Sequence, residues 1–217
     1  MHIEPGLIAP VKLLFAAGAA TIVLASYVPQ LLRQPALLLR SLLAALFFSC
    51  FMQAFHMKAG PSELHFLGVM PLYLSFGFVP TLIGLGLGLL LQGLIFEPQD
   101  LPHLAVNSLS LMLPLMVVHY GLAKRLIRSE GRLTVKCLLK LDAAYYGGVL
   151  AMVGFWLTLG QTQTSLAEWA SFAVAYAPVV LLEPVVTLGV LWLLRPAGLL
   201  RRQHFAALCF APPLGRA

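Results

Sequence analysis

From Leu64 to Phe96 the chain carries no Asp, Glu, Lys or Arg. That stretch is longer than the roughly 20 apolar residues a helix needs to cross a bilayer, and Gly77 and Pro80 interrupt it. It predicts two consecutive membrane segments that bend near Gly77 and Pro80. The rest of the chain repeats the pattern, with apolar runs at roughly 8–28, 37–56, 64–76, 78–96, 103–124, 138–159 and 169–194. Charged residues make up only 10% of the chain, against about 25% in a soluble domain. The expected fold class is therefore all-α: a polytopic integral membrane protein of about seven transmembrane helices, in a single domain over 1–217.

The third run is the odd one. About 13 residues at 1.5 Å each rise only some 20 Å, short of a hydrocarbon core of about 30 Å. A helix that short is tolerated only where protein or a cavity covers its ends. Short segments broken by Gly or Pro also point to binding sites in transporters.

The net charge of +6 is distributed as a topology signal. With an N-terminus outside and seven crossings, Arg33, then Lys124, Arg125, Arg128, Arg132 and Lys136, then Arg195, Arg201, Arg202 and Arg216 all fall on one side, the last group in a cytoplasmic tail of about 196–217. Lys58 and Lys12 remain on the other side, with Glu4, Glu63, Glu97, Asp100 and Glu168. Basic residues mark the cytoplasmic side. Merging the third and fourth runs would put the later basic loops opposite Arg33, so the charges favour seven crossings. No soluble basic face with groove-reading partners is visible, which excludes nucleic-acid binding.

Cys50, Cys137 and Cys209 are far apart and read as small apolar residues within helices. The first run lacks a basic leader and an evident cleavage pattern, so it reads as a retained helix. Ala16 and Ala20, Gly84 and Gly88, and Gly147–Gly148 put small residues at helix-packing positions; a docking groove for a partner helix is the alternative reading. No Walker-type loop, HExxH or GxSxG occurs. The chain is therefore not expected to be an enzyme of these kinds.

The chain opens MHIEPG. Met1 offers a terminal amine, and His2 offers its backbone amide nitrogen and its imidazole. Together these donors can close a five-membered and a six-membered chelate ring, an arrangement open only to an N-terminal dipeptide. Losing the amide proton favours a strongly polarising metal, and three coplanar nitrogens suit a square-planar or tetragonal site with one open corner. Glu4, Glu63, His56, His65 and His103 are all placed near the same outer face. His65 is the best candidate for the corner: Ser62 is positioned to cap a helix, which puts His65 in its first turn, where the positive helix end keeps the imidazole neutral.

These residues resemble the substrate-capture component of cobalt/nickel energy-coupling-factor transporters, the CbiM/NikM family. The resemblance lies in MHIEPGLIAP at the start, in HFLGVMPLYLSFG followed by LLLQGLIF, in HLAVNSLSLMLP and, more weakly, in APVVLLEPVVTLGVLWLLRP. It implies metal ligands at Met1, His2 and His65, within an N-terminal segment 1–7 and the short third helix. Gln92 and Asn107 match polar positions of the family; they and His103 are expected beside the ligands and not on the metal. Glu183 falls mid-span, where a carboxylate is a functional candidate, outside the ligand set. The chain departs from the pattern at EPQD in place of a glycine-rich loop, at Tyr176 in place of a histidine, and at Pro184 in place of a glycine.

The implied function is capture of Ni(II) or Co(II), as transported substrate, at the extracytoplasmic face of a bacterial inner membrane. Energy would come from partners: a coupling transmembrane subunit and two cytoplasmic ATPases, often with a small accessory membrane subunit. Arg33 and the Lys124–Lys136 stretch face the side where these partners, or lipid headgroups, would meet the chain. The rival readings are a non-transporting membrane metal-binding accessory or sensor protein, and a structural membrane protein without metal.

Overall fold

The computed structural model describes residues 8–59, 62–126, 134–160, 165–194 and 208–210. Met1, His2, Glu4, Arg128, Arg132 and most of the tail lie outside the described residues. Among the described residues six helices are long and apolar enough to cross a membrane. Helix α1 (Pro10–Arg33) and α2 (Pro35–Ala54) are joined through Gln34, and each begins with a proline, which needs no partner for the donor it lacks. Helix α3 (Val69–Phe76) and α4 (Phe78–Ile95) follow a two-stranded hairpin, β1 (His56–Ala59) and β2 (Ser62–His65). A 3₁₀ turn, Pro98–His103, leads into α5 (Leu104–Val117), which widens into a π-helical turn over Val118–Ala123. Helices α6 (Val135–Thr158) and α7 (Leu166–Leu194) complete the bundle. Side chains such as Leu14, Phe15, Val174 and Leu181 are exposed on its outer surface, as a lipid-facing rim requires.

The direction of α4 decides how many times the chain crosses. A Cβ on Gly84 would stand 2.6 Å from that of Ala44, and one on Gly88 would stand 2.5 Å from the Phe48 ring. The two helices thus run parallel and in contact, and Ser49 Oγ donates to the Gly88 carbonyl at 3.0 Å. Small residues permit this close approach, as expected for Gly84 and Gly88. Because α2 and α4 are parallel, the segment between them must return across the bundle. Phe66–Gly68 and α3 make that return, so α3 is the seventh, short helix, rising about 12 Å. Its non-helical lead is tolerated because it is covered: Leu64, His65, Phe66 and Leu67 are all buried. The expected bend at Gly77 is a break, with φ of 91° at the residue joining α3 to α4.

One local expectation is corrected. Ser62 does not cap a helix, and His65 does not sit in a first helical turn: residues 62–65 form β2, paired antiparallel with β1, with His56 opposite His65. The helix starts four residues later, at Val69. Pro71 supplies the physical reason. At the third position of α3 its missing N–H costs nothing, whereas a helix begun near Ser62 would carry Pro71 in its interior and lose a hydrogen bond there. Gly68 makes the entry: its φ of +60° suits glycine, and a Cβ there would lie 2.2 Å from the Phe51 ring.

Cross-helix bonds sort the ends of the bundle. Lys12 Nζ donates to the Leu159 carbonyl, joining the start of α1 to the end of α6. Tyr27 and Tyr120 share a hydroxyl–hydroxyl bond of 3.0 Å near the other end. Gly148 of α6 packs on Pro114 of the antiparallel α5. One end therefore gathers Ile8, Lys12, the hairpin, the 3₁₀ turn and Leu159. The opposite end gathers Arg33, Lys124, Arg125 and Lys136. The basic asymmetry read from the sequence is thus an asymmetry between the two ends of the bundle.

Candidate metal centre

His65 closes β2 with 1% of its surface exposed. Its Nδ1 lies 3.3 Å from the carbonyl oxygen of Met52, in the last turn of α2. A carbonyl oxygen can only accept, so Nδ1 carries the proton and the lone pair resides on Nε2. Histidines that bind metals typically donate their other ring N–H to a carbonyl or carboxylate in this way, which fixes both tautomer and ring orientation. The backbone carbonyl of His65 in turn accepts the Tyr176 hydroxyl at 3.3 Å. Phe66 N–H donates to the Phe55 carbonyl at 3.1 Å, extending the hairpin ladder past the ligand candidate.

Gln92 belongs to the same level. Continuing the α2–α4 register one turn, from Gly88 beside Phe48, sets Gln92 beside Met52. Its side chain is buried, and neither amide atom has a hydrogen-bond partner among the described residues. His103 ends the 3₁₀ turn, precedes α5 and is also buried, with no partner for either ring nitrogen among the described residues. Asn107 stands one helical turn further on, buried on the same face of α5 as His103. Buried polar atoms are normally satisfied, so Gln92 and His103 give this end of the bundle polar capacity that no hydrogen bond among the described residues uses.

Met1 and His2 lie outside the described residues. The first described residue, Ile8, is buried at the end of the bundle that carries His65. Among the described residues no group of three or more His, Cys, Asp or Glu side chains converges on a point.

Below His65, α7 supplies a second set of contacts. Glu183 is fully buried, and its Oε1 accepts the Met70 N–H at 2.9 Å. The backbone N–H groups of Gly68 and Val69 face the same carboxylate and favour its charge. Oε2 accepts the Tyr146 hydroxyl from α6. The carboxylate thus occupies the N-terminus of α3, where unsatisfied N–H groups and the helix dipole favour an anion. In the sequence Glu183 stands out only as an intramembrane carboxylate, and nothing singles out Tyr146. The partner of Glu183 is a backbone helix start far away in sequence, which no side-chain motif announces.

A family model described as the cobalt uptake substrate-specific transmembrane region, CbiM, matches residues 2–198. The chain belongs to this family. It is accordingly a multi-pass membrane component of cobalt uptake. It is also similar to a Haemophilus influenzae protein named "Putative metal transport protein", with 27% identity over 173 residues, covering 76% of this chain and 82% of the relative. No solved structure matches the chain.

Proposed function

We propose that the chain captures Ni(II) or Co(II) at the extracytoplasmic face through the Met1 amine, the His2 amide and imidazole, and Nε2 of His65. The observation that carries this reading is the His65 Nδ1–H donated to the Met52 carbonyl, which leaves Nε2 as the coordinating nitrogen. Residues 1–7 at full extension reach about 25 Å, ample to bring Met1 and His2 back over a hairpin at the same end of the bundle. The lysine and arginine asymmetry puts that end outside the cytoplasm. Gln92, His103 and Asn107 supply polar groups around the chelate, toward its hydrogen-bonding edges and bound water.

Uptake then depends on partners: a coupling membrane subunit and two cytoplasmic ATPases, with a small accessory membrane subunit, in a bacterial inner membrane. Metal binding requires deprotonated donors, so release is linked to proton uptake by the chelate. The test is metal titration of the purified full chain, followed by uptake in cells with and without the ATPase partners. Tight binding with partner-dependent uptake supports the reading. Tight binding that never supports uptake would assign the chain to a sensor or accessory role, and absence of binding would overturn the reading.

A further inference from the structure

We propose that Glu183 is the positioning residue of the capture site: from the last helix it fixes the entry of α3 and thereby sets where His65 presents its ring. The proposal rests on the capture reading above. Its basis is one face of α7. Tyr176 and Glu183 are seven positions apart, close to two turns, and so lie on the same side of the helix. The upper contact holds His65 through its carbonyl, and the lower holds Met70 through its N–H. Between them runs Phe66–Gly68, where the hairpin ladder ends with the Phe66 N–H on the Phe55 carbonyl and the chain turns through φ +60° at Gly68.

A non-helical segment at membrane depth depends on neighbouring protein for its backbone bonds. Here a single carboxylate takes the Met70 N–H in the first turn of α3 on one oxygen and the Tyr146 hydroxyl of α6 on the other. The rings of Tyr146 and Tyr176 meet edge to face at 5.3 Å, which joins the two contacts into one unit. Glu183 does not touch the metal. It acts through four intervening residues on the register of His65, so its removal should change the geometry of the bound ion as well as the stability of the fold.

The experiment uses the full chain in detergent with Ni(II) as probe, comparing wild type, Glu183→Ala, Glu183→Gln, Tyr176→Phe and His65→Ala. Three quantities are read: the metal-free unfolding midpoint, the Ni(II) affinity and the ligand-field absorption band. Glu183→Ala should weaken Ni(II) by about tenfold or more and move the band toward that of His65→Ala. Glu183→Gln, which keeps an acceptor oxygen, should recover most of both. Tyr176→Phe should shift the band with a smaller loss of affinity and little change in midpoint. A folded Glu183→Ala protein with wild-type band and affinity would overturn the proposal. If that variant does not fold, a wild-type band and affinity in Tyr176→Phe would do so, since the two contacts are held to act as one unit. A purely structural cap would lower the midpoint and leave the band in place, which also counts against it. If His65→Ala itself leaves binding unchanged, the capture reading fails and the proposal with it; a shift in His65→Ala without one in the others defeats the positioning role alone.

Discussion

The imidazole of His65 is tied to the main chain of Met52, Nδ1 to carbonyl oxygen, at 3.3 Å. A strand residue is thereby anchored to the last turn of the preceding helix, and its ring is oriented before any metal arrives. Preorganisation of this kind limits what ordering the site costs when the ion binds.

The first expectation concerns that ring. His65→Ala should lower Ni(II) or Co(II) affinity severely, whereas His204→Ala, in the segment placed on the cytoplasmic side, should leave it unchanged. His103→Ala should fall between, since His103 is buried at the His65 end of the bundle. Titration of the three purified variants checks this order. A dominant effect at His103 with none at His65 would move the open corner of the chelate to α5.

Gly68 provides a test of how α3 is entered. Gly68→Ala imposes a left-handed backbone on an L residue, costing about 1–2 kcal/mol, and presses a methyl into the Phe51 ring. Thermal unfolding in detergent should show a lower midpoint, with metal affinity falling in step. Pairing it with Phe51→Ala should relieve the clash but not the backbone strain, so recovery should be partial.

The parallel α2–α4 contact predicts a contrast between glycines. Gly88→Leu should destabilise by about 1–3 kcal/mol through overpacking, because Phe48 and the Ala45 carbonyl leave no room. Gly147→Ala, where nothing lies within 4 Å, should be neutral or stabilising. Unfolding midpoints of the two variants decide; equal effects would mean that α2 and α4 do not pack as described.

Sidedness follows from the charge distribution. In a background lacking Cys50, Cys137 and Cys209, a cysteine at position 58 should react with an impermeant reagent in intact cells, and one at position 128 should react only after lysis. The opposite pattern would reverse the orientation.

Much of the bundle was legible in the sequence because its main signals are local. Long apolar runs locate crossings, and the observed helices fall close to the expected runs. Gly77 marked the break, and Gly84 and Gly88 marked a close helix contact. The hairpin was not legible: two four-residue strands carry too little alternation to show through an apolar background, and Ser62 mimicked a helix cap. Pro71 and Gly68 together held the correction, since a proline fits a first turn and a glycine fits the left-handed entry. The role of Glu183 was hidden for a different reason. It binds the backbone N–H of Met70, and backbone donors leave no trace in residue identity. Tyr176 stood out only as a departure from the family pattern, though its hydroxyl reaches the very residue expected to bind the metal.

The proposed chelate stands or falls on the N-terminal amine as a ligand. Acetylating it removes one donor without altering any side chain or spacing. The most direct measurement is therefore Ni(II) affinity, with the visible absorption of a low-spin square-planar complex, for the full chain with and without an acetyl group verified by mass on Met1. Acetylation should abolish the band and lower affinity steeply, and His2→Ala should match it. Undiminished binding and an unchanged band in the acetylated protein would contradict the proposed chelate.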